Sequence, residues 1–206
     1  ATIADRYDFI TIVLSYGLDR RWKRRLIADA EIREGETVLD LACGTGDLAF
    51  EAAARGASVV GLDITPRMIV LAREKAARER ANLSPAPLFL VGDMCALPLP
   101  DQSVDVVTTG YGLRNVPAID QAIDEIARVL KPGGRLASLD FNRPGSRVVR
   151  FVYLAYLTVV GAALGWILHG DPDTYRYIPE SIRRYPGAAG VAALLRAKGF
   201  QSVQIR

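Results

Sequence analysis

A short apolar run that ends in a glycine-containing turn, residues 38–47, constrains the fold of this chain more than any other segment. The run has the composition of a buried strand, and the residues beyond the turn are typical of a helix. Gly44 and Gly46 let the backbone approach a ligand closely, and a helix start has unpaired N–H groups. The segment therefore predicts a strand–turn–helix unit with a ligand site at its turn.

Strand and helix patterns alternate along most of the chain. An amphipathic helical region is predicted for residues 2–30. The predicted elements that follow are strand 37–42, helix 46–56, strand 57–62, helix 66–80, strand 87–92, strand 104–110, helix 118–131 and strand 135–140. Near-continuous apolar runs are typical of strands buried on both faces of a parallel sheet. With right-handed crossovers, these elements predict a doubly wound, Rossmann-like α/β fold, a three-layer sandwich.

Length and composition predict one folded domain that spans residues 1–206. The net charge of +3 permits contact with an anionic surface but does not require it. Because no secretory signal is recognisable, we expect a cytoplasmic protein in which Cys43 and Cys95 are reduced. Neither cysteine has the spacing of a metal ligand, and we expect His169, the only histidine, to be structural. No metal is therefore expected.

Four carboxylates follow the predicted strands or their turns: Asp40, Asp47, Asp63 and Asp93. Since the carboxyl ends of parallel strands meet at one edge of a sheet, we expect these side chains to share a pocket. The glycine spacing also fits a dinucleotide-binding turn. However, a ring of acids repels a pyrophosphate, and no Lys or Arg lies within the turn to offset it. A ligand with an ammonium and a sulfonium group is attracted, which predicts S-adenosylmethionine.

Each residue at this edge has an expected contact with that methyl donor. We expect Asp40 to hold the positive end of the amino acid part and Asp63 to accept from both ribose hydroxyls. Asp93 and the Met94 backbone are expected to bind the adenine edge, with Ile64 and Met94 on the two ring faces. The predicted donor-binding residues are Asp40, Gly44, Thr45, Gly46, Asp63, Ile64, Asp93, Met94 and Gly110. For each aspartate taken singly, a helix cap or a solvated loop acid is the alternative.

Several motifs resemble those of a known family. Residues 39–47, 92–98, 111–116 and 129–135 resemble class I methyltransferases, and within them the ubiquinone/menaquinone biosynthesis C-methyltransferases. The most specific segments are Gly-Leu-Arg-Asn-Val at 112–116 and the Tyr- and Arg-rich segment at 175–186. The resemblance covers essentially the whole chain. It implies a mostly parallel, seven-stranded sheet whose last strand, after one that begins at Phe200, is missing from these residues.

The resemblance implies methylation of a ring carbon on a polyprenylated quinol, demethylmenaquinol or a methoxy-benzoquinol precursor. Such a carbon becomes nucleophilic as the neighbouring phenol loses its proton, so catalysis depends on positioning and on stabilising a phenolate. Arg114 is the candidate to hold the oxyanion or orient a water, and Asp140 is the candidate proton acceptor. Tyr111 and Asn115 are expected to orient the ring. The alternatives are a loop-stabilising salt bridge for Arg114 and a helix cap for Asp140.

The predicted first helix departs from the family pattern. The family usually has Asn-Asp where Thr11 and Ile12 stand, and often His where Asp19 stands.

A long uncharged segment, residues 151–168, meets the length rule for a membrane-spanning helix. Because Gly161 and Gly165 interrupt it, we expect instead part of a helical lid, residues 143–186, that accommodates an isoprenoid tail. Tyr153 and Tyr177 are the candidate substrate-binding residues of this region. The flanking arginines are placed to meet anionic lipid on the inner face of the membrane: Arg143, Arg147 and Arg150. The alternatives are a homodimer interface and plain core.

Other functions remain open at this point. A methyltransferase that acts on oxygen or nitrogen of another apolar small molecule would share every donor-binding residue. A non-catalytic protein that binds the donor or a quinone is a further alternative. No nucleic acid partner is expected, because no aromatic and basic stacking platform is recognisable.

Overall fold

The computed structural model describes residues 17–79, 85–142 and 144–206. These residues form two compact units, of which one extends to Asp140 and the other begins at Phe141. That the whole chain acts as one domain stays a prediction.

The first unit alternates helices and strands as the sequence predicts. Its elements are α1 (Asp19–Asp29), β1 (Thr37–Leu41), α2 (Asp47–Ala53), β2 (Ser58–Asp63), α3 (Pro66–Glu79), β3 (Leu88–Val91), β4 (Val104–Gly110), α4 (Ile119–Val129) and β5 (Leu130–Leu139). Most predicted boundaries lie within a few residues of these. The N-terminal part of the predicted helical region, residues 1–16, lies outside the described residues.

The strands form one parallel sheet in the order β3-β2-β1-β4-β5. The chain moves outward from β1 to β3 and then returns to place β4 against the other side of β1. In β1, Asp40 is in register with Gly61 of β2 and with Thr108 of β4. Such a reversal of strand order opens a crevice at the carboxyl ends of the strands, where ligands of these folds bind.

Helices lie on both faces of the sheet, as right-handed crossovers require. One hydrophobic core joins α1, α2 and α3 to the sheet through side chains such as Ile27, Phe50, Ile69 and Phe89. The helix between β4 and β5, α4, buries Ala122, Ile123, Ile126 and Val129. The doubly wound, three-layer α/β fold is confirmed.

The end of α4 differs from the prediction. Residues 118–131 were expected to be helical up to the Pro-Gly-Gly sequence at 132–134, but the helix ends at Val129 and β5 begins at Leu130. Leu130 pairs with Val104 of β4, and the register then shifts so that Arg135 pairs with Val106. Sheet pairing therefore ends the helix before the proline does, and residues 132–134 lie within an irregular part of β5.

The C-terminal segment also differs from the prediction. Residues 200–206 form no strand, although one was expected to begin at Phe200. The sheet of the described residues has five strands, and none of them pairs with this segment. An extended segment becomes a strand only when a neighbour completes its ladder of hydrogen bonds.

The second unit consists of α5 (Arg147–His169), α6 (Tyr177–Arg184) and α7 (Gly187–Ala197). The N–H of Val149 donates to Ser146 Oγ at 3.5 Å at the start of α5, and Gly170 ends the helix with a φ of 70°. Gly161 and Gly165, which the sequence suggests as interruptions, are the positions where α5 approaches residues 171–175. A Cβ on Gly165 would lie 2.5 Å from the carbonyl oxygen of Asp171.

The opposite side of α5 is apolar and exposed. Its large exposed side chains are Val148, Val149, Phe151, Val152, Val159, Trp166 and Ile167. Within the described residues, Arg147–Leu168 has the length and apolarity of a membrane-crossing helix. An 18-residue window of this helix has a mean hydropathy of 2.0, and 22% of the window is buried. Length and composition alone do not distinguish a membrane span from a helix that lies on a surface.

Candidate functional site

A cavity of about 330 Å³ opens in the first unit at the carboxyl ends of β1, β2 and β4. Every predicted donor-binding residue except Gly46 lines it. Gly46 instead begins α2 with a φ of 91°, and a Cβ there would lie 2.7 Å from the Phe89 ring. Its place in the turn is therefore explained by backbone conformation and by packing behind the cavity.

Asp63 fastens the glycine turn to the end of β2. Its Oδ2 accepts from the Gly44 N–H at 2.9 Å, and its Oδ1 accepts from the Thr65 N–H at 2.8 Å. Each carboxylate oxygen has a further lone pair, so the side chain can still accept from a ligand in the cavity that it lines.

Asp40 is a buried hydrogen-bond acceptor, and one of its two carboxylate oxygens is available to a ligand. Its residue is 1% exposed, and its Oδ1 accepts from the Thr108 hydroxyl at 2.8 Å. Its Oδ2 has no hydrogen-bond partner among the described residues. Burial raises the pKa of Asp40 to about 7, against the opposing effects of the Thr108 hydrogen bond and the charge of Lys23. A buried oxygen of this kind, in the wall of a cavity, fits the cationic group expected of the methyl donor.

The electrostatics of the turn differ from the sequence expectation, because two lysines from other elements reach Asp47. Lys23 Nζ lies 3.0 Å from Asp47 Oδ2, and Lys75 Nζ lies 2.8 Å from Asp47 Oδ1. Burial alone would raise the pKa of Asp47, but the two lysines lower it to about 2. The charge of Asp47 is thus balanced, and the acidic character of the cavity comes from Asp40, Asp63 and Asp93.

The expected adenine end of the cavity is built by residues that follow β2 and β3. Asp93 Oδ1 accepts from the Cys95 N–H at 2.9 Å, which closes a tight turn. Met94 is buried, whereas Ile64 is 67% exposed and so has an apolar side chain available to a ligand. The roles of these residues in binding adenine stay predictions.

Arg114 forms the ion pair that was the alternative to a catalytic role. It lies in a 3₁₀ turn, Leu113–Asn115, after β4. Its Nη1 is 3.2 Å from Asp140 Oδ1, and its backbone N–H donates to Asp140 Oδ2 at 3.0 Å. Both side chains are almost fully buried, at 3% and 4% exposure, and neither residue lines the cavity. A direct role of this pair in catalysis stays a prediction.

Tyr111 and Asn115 do line the cavity. Asn115 Nδ2 donates to the Tyr111 carbonyl oxygen at 3.0 Å, and the Tyr111 hydroxyl donates to Asp19 Oδ1 at 3.0 Å. Tyr111 has a φ of 60°, which is uncommon for a residue with a large side chain. Backbone strain of this kind is found where surrounding contacts hold a functional loop in one conformation.

The other predicted substrate-binding residues belong to the second unit. Tyr153 lies on α5, and Tyr177 is the first residue of α6. Their contact with a substrate stays a prediction, as does the lid formed by residues 143–186. Within the described residues, no group of three or more His, Cys, Asp or Glu side chains is placed to hold a metal ion.

The model of the ubiE/COQ5 methyltransferase family matches residues 1–206. The chain belongs to this family. The resemblance read from the motifs is therefore confirmed.

Relatives of this family are similar over nearly the whole chain. A demethylmenaquinone methyltransferase of Thermus thermophilus is 41% identical over 96% of this chain and 89% of its own length. A ubiquinone/menaquinone biosynthesis C-methyltransferase of Escherichia coli is 38% identical over 98% of this chain and 81% of its own length.

Solved structures support the fold. A putative S-adenosyl-L-methionine-dependent methyltransferase of Methanococcus maripaludis has a TM-score of 0.67, at 20% identity, over 98% of this chain and 86% of that one. A SAM-dependent methyltransferase of Aquifex aeolicus has a TM-score of 0.63, at 20% identity, over 88% and 81% of the two chains. At this identity the likeness shows the fold alone.

One charged residue of the cavity, Lys23, was not among the predicted site residues. Lys23 lies on α1, 24 residues before Asp47, and it lines the cavity beside the glycine turn. The available signal was its spacing from Asp19, four residues earlier on the same helix face, with which it forms an ion pair at 2.8 Å.

Proposed function

We propose that this chain transfers the methyl group of S-adenosylmethionine to a ring carbon of a polyprenylated quinol, with demethylmenaquinol as the first candidate. The observation that carries the proposal is the full-length match to the ubiE/COQ5 methyltransferase family, whose relatives include demethylmenaquinone methyltransferases. The cavity at the carboxyl ends of the strands supports it, because it brings the predicted donor-binding acids together.

The donor supplies an electrophilic methyl group on a sulfonium. Asp40 accepts from its ammonium group, Asp63 from the ribose hydroxyls, and Asp93 from the adenine. The nearby turns carry Gly44 and Gly110, where a ligand approaches the backbone. The support for these roles is the placement of all three acids on one cavity and the unsatisfied Oδ2 of Asp40.

The quinol ring is positioned by the loop after β4. Tyr111 and Asn115 line the cavity there. The Asn115 amide donates to the Tyr111 carbonyl oxygen and the Tyr111 hydroxyl donates to Asp19, so each side chain is restrained by a hydrogen bond of its own. Restricting the ring to one orientation favours attack by one carbon, which is the chief contribution a site of this kind makes. Arg114 and Asp140 support the loop from behind through their buried ion pair.

The long apolar tail of such a substrate resides in a lipid bilayer, so the enzyme works at the inner face of the membrane. The exposed apolar side of α5 supports this placement, since it presents large side chains that include Phe151 and Trp166. Arg147 lies at its N-terminal end, where a cation meets anionic lipid head groups. A homodimer that covers the same side of α5 is the competing arrangement.

The proposal is tested with purified protein, methyl-labelled S-adenosylmethionine and short-chain demethylmenaquinol, kept reduced. We expect labelled product whose fragmentation places the methyl group on a ring carbon. A benzoquinol precursor tested in parallel identifies the preferred head group. Asp63→Ala serves as a control, because loss of the ribose acceptor abolishes turnover with either quinol. Methylation on oxygen, or no methylation of either quinol by protein that binds the donor, would contradict the proposal.

A further inference from the structure

Lys23 is a largely buried cation in the wall of the cavity, and the donor contacts proposed above give it no role. It lines the cavity together with Asp40, Gly44 and Asp47, and its side chain is 13% exposed. A lysine so far removed from water is normally balanced by carboxylates. Asp19 and Asp47 fulfil that condition here.

The geometry of Lys23 leaves it able to bind a further anion. Its Nζ lies 2.8 Å from Asp19 Oδ2 and 3.0 Å from Asp47 Oδ2. An ammonium group has three N–H donors, and within the described part of the chain these two carboxylates are its acceptors. One donor is therefore left for an acceptor in the cavity.

The charges around Lys23 permit a third anionic partner. Asp47 also pairs with Lys75 at 2.8 Å, so two lysines and the carboxylates of Asp19 and Asp47 balance one another. Burial lowers the pKa of Lys23, but its two carboxylate neighbours, Asp47 and Asp19, together raise it by more than burial lowers it. The side chain therefore stays protonated. A positive charge held in this way attracts a ligand carboxylate in a low-dielectric cavity.

Asp40 provides the complementary half of such a site. Its unpartnered Oδ2 is a buried acceptor on the same cavity, and Lys23 is close enough for its charge to influence Asp40. A fixed cation and an unsatisfied anion on one cavity wall match the two charges of an α-amino acid. The methyl donor of the proposed function ends in such a zwitterion.

We propose that Lys23 binds the α-carboxylate of the methyl donor, beside Asp40, which accepts from the α-ammonium group. The inference rests on the donor part of the proposed function and is independent of which quinol is methylated. It assigns to α1 a direct contact with the ligand, in addition to its packing against the sheet.

The competing explanation is that Lys23 only fastens α1 to the glycine turn. The chain offers a matched control for this, because Lys75 pairs with the same Asp47 carboxylate but does not line the cavity. A purely structural effect of losing an Asp47 partner would appear in both variants.

The test compares two ligands by isothermal titration calorimetry. S-adenosylhomocysteine keeps the amino acid end of the donor, whereas 5′-methylthioadenosine lacks it. Loss of one charge-assisted hydrogen bond predicts that Lys23→Met weakens S-adenosylhomocysteine binding about tenfold or more and changes 5′-methylthioadenosine binding less than about twofold. We expect Lys75→Met to leave the ratio of the two affinities unchanged, and Lys23→Arg to retain most of the preference.

Three outcomes would overturn the inference. They are an equal loss for both ligands in Lys23→Met, no loss for either ligand, and the same change of ratio in Lys75→Met. Lys23→Gln, which is nearly isosteric and polar, replaces Lys23→Met if the latter fails to fold, with the same expectations. Failure of the unaltered protein to bind either ligand would instead contradict the donor assignment of the proposed function.

Discussion

Asp40 combines two properties that rarely occur together, nearly complete burial and an oxygen without a hydrogen-bond partner among the described residues. Burial raises the pKa of Asp40 from the usual 3.8 to about 7. A polar group in this condition destabilises the unliganded fold, and such groups are retained where a ligand completes them.

The pKa of Asp40 predicts a pH dependence of donor binding. Only the carboxylate form attracts the ammonium group, so we expect donor affinity to fall as the pH drops below about 7, approaching tenfold per unit. Titration calorimetry at several pH values between about 5.5 and 7 measures this. Asp40→Asn binds weakly at every pH and loses the dependence. An unaltered slope in that variant would assign the titration to another group.

The raised pKa of Asp40 also predicts that replacing this residue by asparagine stabilises the unliganded protein. In the folded state Asp40 holds a proton up to a pH of about 7, whereas an unfolded aspartate releases it near 3.8. Since the folded state binds more protons across this window, the stability that Asp40 contributes decreases as the pH rises through it. We therefore expect unliganded Asp40→Asn to melt at a higher temperature than the parent protein at about pH 8.

The loop after β4 joins the cavity to the interior of the first unit. Tyr111 and Asn115 face the cavity, while Arg114, between them, is buried against Asp140. The loop also reaches α1, since the Tyr111 hydroxyl donates to Asp19. The conformation of the loop is therefore fixed by contacts with β5 and α1.

A double-variant comparison separates the two roles open to Arg114. Arg114→Ala leaves the Asp140 carboxylate buried without its ion-pair partner, so it is expected to lower the free energy of unfolding by about 3–5 kcal/mol. Removing both partners, in Arg114→Ala with Asp140→Ala, restores part of this loss. Urea unfolding measures the stability of each variant.

Turnover in the same variants shows whether Arg114 acts in catalysis or only supports the loop. If Arg114 holds the developing phenolate, turnover stays low in the stabilised double variant while donor affinity is nearly unchanged. Recovery of turnover in parallel with stability would show that the ion pair acts only by supporting the loop.

The two units have different surfaces. The first unit buries its apolar side chains around a parallel sheet, whereas the second exposes one apolar side of α5. Exposed apolar side chains that share one side of a helix are typical of surfaces that contact lipid or another protein.

Lipid contact predicts that the protein sediments with vesicles that contain anionic lipid. Trp166 and Phe151 are 69% and 75% exposed, and burying each aromatic ring in the bilayer contributes roughly 1.5–3 kcal/mol. We expect Phe151→Ser combined with Trp166→Ser to weaken vesicle binding about tenfold or more.

Leu88→Ser is the matched control for that experiment, because Leu88 is 67% exposed but belongs to β3 of the first unit. Its vesicle binding should equal that of the unaltered protein. A dimer in solution that disappears in the α5 double variant, without any vesicle binding by the unaltered protein, would favour the homodimer instead.

Local sequence determined the alternation of strands and helices, the glycine turn and the positions of the cavity acids. Each of these depends on neighbours within a few residues: apolar periodicity, the conformational freedom of glycine, and the fact that parallel strands end at one edge. Asp40 and Asp63 follow this rule, and both line the cavity.

Which charges balance one another, and where paired segments end, depends on contacts between residues that are distant in the sequence. Lys23 meets Asp47 across 24 residues, Thr108 meets Asp40 across 68, and Tyr111 meets Asp19 across 92. The early end of α4 likewise depends on pairing of Leu130 with a distant strand. Coulombic and hydrogen-bond energies depend on distance in space, and that distance is set by the packing of the whole sheet and its helices, which no local pattern contains.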